Sequence, residues 1–427
     1  MRILYSLVWW LLLPFALARL WWRGRKEPGY RRQVAERLGF YPPPLISVGC
    51  IWIHAVSVGE TRAAEPLINA LLAAYPGRDI LLTCMTPAGR AAGYTLFGNT
   101  RRIMQAYLPY DIGFMMRRLI RHFSPCLCIL METEVWPNLI AQCQAHHIPV
   151  ALVNARLSER SLAKGKRLPS LIREAASGIS CVAAQTETDA RRLRQFGSHQ
   201  VAVAGSVKFD IMPPIAAIKK GQRLRTCIGE RPVLICASTR DGEEALILDA
   251  LTGLQPANTL LIIVPRHPQR FDEVAKMIAS KKLAMKRRSD LNADFEPSDL
   301  ISSDTRVLLG DSMGEMFSYY AASDVAFIGG SLKPLGGQNL IEACALGKPV
   351  IVGPHTFNFE TITEDAVAAK AVIRVNTAHE LIREASRLLS DTDKCDHAGK
   401  TAYQFAHQQQ GATQKTLNLL NPFLATR

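Results

Sequence analysis

From position 51 onward the chain keeps exchanging one apolar rhythm for another: short continuous runs of aliphatic residues, then stretches whose apolar positions return every three or four residues. Strands that run the same way need a crossover, usually a helix, so this alternation predicts parallel sheets covered by helices. Runs at 51–56, 80–84, 103–108, 126–131, 150–153, 180–184 and 201–203 make a first series of strands. Helices are expected at 61–74, 87–97, 136–147 and from Thr186; in the first of these Leu67, Ile68, Leu71 and Leu72 form the stripe to be buried. A second series follows at 233–237, 260–264, 306–309, 325–328 and 350–352, and helices at 377–389 and 397–420 end the chain. Between the series, Pro213-Pro214 and Lys219-Lys220-Gly221 interrupt both rhythms, which predicts a linker at 211–221. The expected architecture is α/β: two doubly wound, Rossmann-like domains, at 25–210 and 222–427, facing a cleft. At 427 residues the chain is long enough for both to have their own core.

Residues 3–22 are almost wholly apolar, with Trp9, Trp10, Trp21 and Trp22 among them. About 20 such residues suffice to cross a bilayer, so residues 1–24 are expected to be a membrane-anchor helix that spans rather than lies in the interface. A signal peptide is the competing reading, but the positive charge follows the apolar run, as Arg23, Arg25, Lys26, Arg31 and Arg32, and no small-residue cleavage site is evident. Positive charge after the helix predicts that the body stays on the cytoplasmic side of the inner membrane. The formal net charge of +14, from 51 Lys+Arg against 37 Asp+Glu, calls for an anionic partner: a membrane surface or a phosphorylated substrate. No nucleic-acid partner is expected, because RNP, zinc-finger and basic-heptad patterns are absent. Ten cysteines without a CxxC pair suggest neither a zinc site nor a disulfide framework. Cys126 and Cys128 are expected on one face of a strand as small core residues.

In open α/β sheets, ligands bind beyond the carboxyl ends of strands. Glu60, in HAVSVGE at 54–60, is one candidate there. It is either an ordinary dipole partner at a helix start or a carboxylate kept ionised by that helix end and fit to serve as a general base. Glu132 follows the run at 126–131 and Lys208 follows that at 201–203. In the second half Arg266, directly after 260–264, suits a phosphate. The turn around Met313, Gly314 and Glu315, and the stretch 327–354 (FIGGSLKPLGGQNLIEACALGKPVIVGP), open on the same edge. That stretch reads as strand, glycine-rich turn, helix from Gln338, and strand. Asn339 and Glu342 share the first turn, where free N–H groups favour a phosphate and a carboxylate can accept from ribose hydroxyls. No GxxxxGK[ST] P-loop occurs, and the glycines do not fit a dinucleotide fingerprint.

With HAVSVGE stand LPYD at 108–111, METEVWPNL at 131–139, NARLS at 154–158, GSVKFDI at 205–211, PRHPQRF at 265–271, GDSMGEM at 310–316 and GPHTFNF at 353–359. In these motifs the chain resembles the 3-deoxy-D-manno-octulosonic acid (Kdo) transferases, a lipid A-modifying glycosyltransferase family, over nearly its whole length. The resemblance implies a GT-B fold and inverting transfer of Kdo from CMP-Kdo to a lipid A precursor (lipid IVA), with no cofactor or catalytic metal. It implies that Glu60 is the general base and that Glu132 and Lys208 support the transition state. Contacts to the CMP of the donor would come from Pro265, Arg266, Met313, Gly314, Glu315, Asn339, Leu340, Ile341 and Glu342. The segment from Ser331 to Gly336 departs from the pattern. Two other readings stay open: a GT-B transferase using a UDP-sugar on a membrane lipid, and a non-catalytic, membrane-tethered protein that binds a nucleotide or anionic lipid.

Overall fold

Each of the seven expected runs in the first half forms a strand: β1 Ile51–His54, β2 Ile80–Cys84, β3 Ile103–Tyr107, β4 Leu127–Met131, β5 Val150–Ala155, β6 Cys181–Ala184 and β7 Val201–Val203. They come from a computed structural model that describes residues 1–165, 167–296 and 298–425. All pair in parallel, in the order β3-β2-β1-β4-β5-β6-β7. Alternate residues feed two apolar layers, one on each face: Trp52, Leu81, Cys128, Leu130 and Leu152 on one side, Ile53, Leu82, Ile129 and Val153 on the other. Cys126 and Cys128 are both buried but lie in opposite layers, which corrects the expectation of one shared face; Cys126 precedes β4 and is outside its alternation.

The second sheet comprises β8 Val233–Thr239, β9 Leu260–Pro265, β10 Met285–Arg287, β11 Val307–Leu309, β12 Val325–Ile328, β13 Val350–Val352 and β14 Val372–Arg374, in the order β10-β11-β9-β8-β12-β13-β14. It too is parallel throughout. Sequence reading missed β10 and β14. Both are three-residue edge strands, mostly half exposed and carrying Lys286, Arg287 or Arg374, so neither has the apolar run that marks a doubly covered strand.

The chain divides into one unit of Met1–Ile211 with Gln409–Arg427, and a second of Met212–Gln408. This changes the expected boundaries twice. Most of the expected linker at 211–221 is helix: Ile215–Ile228 belongs to the second unit, and Gly221 lets it approach the helix Met316–Ala322. The expected single helix at 397–420 is two, Thr392–Gln408 and Ala412–Leu424, broken at Gly411 with φ +98°. The last helix packs on the first unit. Asp210 caps it, accepting from the backbone N–H groups of Gly411 and Thr413, and Leu417, Leu420 and Leu424 enter the layer that holds Leu67 and Leu71.

At the end of β12 the glycine loop passes against the end of β8. A Cβ on Gly329 would lie 2.6 Å from Thr239 Cα and 2.7 Å from Ser238 O, both backbone atoms that cannot swing away. Gly329→Ala is expected to destabilise the second unit by about 1–3 kcal/mol, an overpacking cost. Urea unfolding of the purified variant checks this; an unchanged midpoint contradicts it.

Candidate active site

Strand order reverses between β1 and β4, since β2 and β3 lie to one side and β5 to β7 to the other. At such a reversal the crossover connections leave in opposite directions and open a crevice at the carboxyl ends. Glu60 follows β1 and Glu132 follows β4, so the fold brings two acids far apart in the chain to neighbouring strand ends.

Ser57 N-caps the helix Val58–Ala63 and its hydroxyl donates to Glu60 Oε1 at 2.9 Å, while Val56 N–H donates to Glu60 Oε2 at 2.8 Å. The local sequence S-x-x-E sets up this reciprocal cap. It also aims a half-buried carboxylate in one direction. Burial raises its pKa, as does Glu132, against the lowering effect of the Val56 N–H, Ser57 and Lys208. Burial outweighs the capping bonds, so the pKa lies above the ordinary glutamate value rather than below it. A raised carboxylate is a stronger base.

Glu132 is buried and sits at φ +57°, in the left-handed region, directly after β4. Its Oε1 pairs with Lys208 Nζ at 2.8 Å and its Oε2 with Arg156 Nε at 3.2 Å. Lys208 is delivered by Asn154, whose Oδ1 accepts from Val207 N–H at 3.2 Å and so ties the segment after β7 to the end of β5. Arg156, about half exposed, escaped sequence reading, although it lies in NARLS one residue beyond β5. Glu134, two residues beyond Glu132 in METEVWPNL, is a further acid at this strand end. Its pKa is pushed up to about 7, by burial first and then by Glu60 and Glu132, with Trp136 Nε1 donating to it at 2.8 Å.

Other motif residues build the frame. Asp111 of LPYD accepts from Asn138 N–H at 3.0 Å and Leu139 N–H at 2.8 Å, capping the helix Pro137–Ala145 and holding the loop that carries Glu132 and Glu134. His54 is fully buried with Nδ1 3.0 Å from Thr83 Oγ1, and burial lowers its pKa to about 3, so it is a neutral core group. Among the described residues no cluster of three or more His, Cys, Asp or Glu has a metal-holding arrangement.

In the second unit the reversal falls between β8 and β12. There the fully buried Glu243 accepts from the N–H groups of Arg240 at 2.9 Å, Gly330 at 2.6 Å and Leu332 at 2.9 Å, binding the two loops together. Pro265 ends β9, and Arg266 beyond it donates from Nε to Gln338 Oε1 at 3.2 Å. His267 is held below its usual pKa by partial burial and by Arg266, Arg240 and Arg270, which marks a concentration of positive charge at this edge. Arg240 is a second residue that sequence reading missed, because only the pairing of β8 with β9 puts it beside Arg266.

Met313 and Gly314 form an exposed turn after β11, with Gly314 at φ +82°. The Glu315 carboxylate is already engaged: Arg288 grips both oxygens at 2.9 and 3.0 Å, and Lys220 reaches Oε1 at 2.7 Å. Ser312 Oγ also bonds it. The helix expected from Gln338 spans only Ile341–Ala345, since Gly336 and Gly337 at φ +93° and +72° keep the preceding backbone out of helical geometry. Asn339 Oδ1 accepts from Ile341 N–H at 3.0 Å, and Asn339 Nδ2 donates to Glu342 Oε1 at 3.1 Å. The Leu340 and Ile341 side chains are buried, leaving backbone as their means of touching a ligand.

Residues 32–211 match the family described as 3-deoxy-D-manno-octulosonic-acid transferase (kdotransferase), and residues 298–405 match glycosyl transferases group 1. A 3-deoxy-D-manno-octulosonic acid transferase of Bordetella pertussis is 42% identical, with 99% of each chain covered. One from Haemophilus influenzae is 38% identical over the same shares. The UDP-GlcNAc 2-epimerase of Neisseria meningitidis, with TM-score 0.57, 17% identity and 87% and 99% of the two chains covered, shares the fold alone. The chain belongs to the 3-deoxy-D-manno-octulosonic acid transferase family and is a glycosyltransferase built on the two Rossmann-like sheets of the GT-B fold.

Proposed function

We propose that this chain moves Kdo from CMP-Kdo to a hydroxyl of a lipid A precursor (lipid IVA), inverting the anomeric centre, as a step of lipopolysaccharide core synthesis on the cytoplasmic face of the inner membrane. The observation that carries this is the carboxylate of Glu60, aimed by its cap, raised in pKa and set at the strand end beside the Glu132–Lys208 pair. Glu60 takes the proton as the acceptor oxygen bonds to the anomeric carbon. The bond from that carbon to the phosphate oxygen breaks, and its electron pair leaves with CMP. Glu132 keeps the Lys208 ammonium in place, where its charge offsets the anionic donor as the phosphate departs.

In this reading the first unit takes the acceptor and the second takes CMP-Kdo. Arg266 meets the phosphate, Pro265 and the backbone of Met313, Gly314 and Glu315 border the nucleotide, and Asn339 to Glu342 receive the ribose. No metal is assigned a role. The helix Arg2–Arg23 is long and apolar enough to cross a membrane, which supports attachment where a lipid acceptor resides.

The test is transfer to tetraacylated lipid A precursor with CMP-Kdo generated in situ, alongside UDP-sugars. Transfer from CMP-Kdo alone is expected; transfer from a UDP-sugar alone overturns the donor. Lys208→Ala is expected to lower kcat about 10²-fold with little change in KM, by the scale of one lost charge-stabilising donor. A rise in KM alone points instead to ground-state binding.

A further inference from the structure

The apolar first helix has two different faces. Tyr5, Trp9, Leu13, Ala16, Leu17 and Leu20 are half-buried at helical spacing, whereas Ile3, Leu7, Leu11, Phe15 and Trp22 are exposed along the opposite stripe. The inner stripe meets the first unit from end to end. Arg2 pairs with Glu174 at 3.0 Å, and Ser6 Oγ donates to Asn138 Oδ1 at 3.1 Å. Trp9 lies 5.9 Å from the Tyr110 ring and Trp10 stacks on Phe114 at 5.2 Å. Leu13, Ala16, Leu17 and Leu20 pack on Ile112 and Met115, and Arg23 sits 4.2 Å over the Tyr30 ring.

Those contacts are incompatible with a plain span. A helix of 22 residues is about 33 Å long, at about 1.5 Å per residue. A span therefore puts its two ends on opposite sides of a hydrocarbon layer about 30 Å thick. Here both ends touch the same folded unit: Glu174 beside one, Tyr30 beside the other. Holding the contacts while spanning would drag the helix Gly113–Phe123 alongside, with Arg117, Arg118 and Arg121 exposed on it, into lipid.

We propose that the first helix lies in the membrane plane, its inner stripe docked on the first unit and its outer stripe in the acyl boundary of a leaflet bearing anionic headgroups. This rests on the membrane attachment proposed above and replaces its expected spanning geometry. Charge complementarity selects the lipid surface. Arg118, stacked against Phe114 beside Trp10, is exposed, as are Arg19, Arg25 and Arg32 near the helix. An apolar stripe bordered by cations is how an in-plane helix holds an anionic leaflet.

The test uses full-length protein in its own membrane, with Cys395→Ser removing the one native thiol that is not fully buried. Into this go Arg2→Cys, alone and with Glu174→Cys. A membrane-impermeant maleimide is expected to label Arg2→Cys in inverted inner-membrane vesicles and not in intact spheroplasts. A short bismaleimide is expected to join the two positions within one chain, seen as a mobility shift without doubled mass. Labelling in spheroplasts overturns the in-plane geometry while leaving attachment standing. Vesicle-only labelling without the internal cross-link overturns the docking, and a cross-link at doubled mass assigns the outer stripe to a second copy. Recovery of the protein in the soluble fraction overturns attachment itself.

Discussion

Glu60→Gln is expected to cut kcat by about 10²–10⁴-fold, the range for loss of a positioned general base. The amide is nearly isosteric, and its oxygen still accepts from Val56 N–H or Ser57, so the cap at the start of Val58–Ala63 largely survives. Thermal midpoint and donor KM are therefore expected to stay near wild type while turnover collapses. This separates the two roles open to such a glutamate. A residue that only capped the helix would lose a fraction of a kcal/mol of stability and keep its activity. The pH profile adds an independent signature. A base acts only when ionised, and burial, followed by the Glu132 charge, raises the Glu60 pKa. The acid limb of kcat/KM is thus expected above the ordinary carboxylate range, with activity falling as pH falls through it. That limb should be missing from the residual activity of Glu60→Gln. Its persistence there would assign it to another group, with Glu134, pushed up to about 7, the first to examine.

Glu315→Ala is expected to destabilise the second unit by about 3–5 kcal/mol, the cost of stranding a buried partner charge. Arg288 is buried and spends its guanidinium on Glu315 and on the carbonyls of Leu291, Asn292 and Ala293. Removing the carboxylate leaves that cation, and Lys220, without their shared anion. Burial alone would raise the Glu315 pKa, but Arg288, then Lys220 and Ser312, hold it at about 2. A carboxylate depressed on folding adds stability that is fully present above its unfolded pKa, about 4.3, and is lost as pH falls through the folded value. Wild type should therefore lose stability steeply from about pH 5 down to about 2, and Glu315→Ala should lose less over that window. Urea titrations at pH 7 and pH 3.5 measure both effects. Equal midpoints for the two proteins at pH 7 would sink the argument.

Periodicity in the chain determined more than element type. The parallel, doubly wound class follows from apolar runs alternating with amphipathic stretches, and Ser57-x-x-Glu60 specified a capped helix start after β1 from residues three apart. Strand ends could be read as well, so the candidates beyond β1, β4, β9 and β12 were visible as a set without knowledge of which strands are neighbours.

Neighbourhood itself was decided by the tertiary structure. Only the order β2-β1-β4-β5 sets Glu60 beside Glu132, and only Asn154 at the end of β5 delivers Lys208 to Glu132, more than 70 positions away in the chain. Arg156 and Arg240 stand one residue past a strand just as Arg266 does, but neither strand end carries a motif like PRHP, and only their tertiary neighbours, Glu132 and His267, distinguish them from solvated loop cations. Two terminal helices had their destinations set the same way. The last returns to the first unit because Asp210 caps it there, and the first lies along that unit because its inner stripe finds Tyr110 and Ile112. The sign of the Glu60 pKa shift belongs with them. Capping is local and lowers it, burial is collective and raises it, and the collective effect is larger.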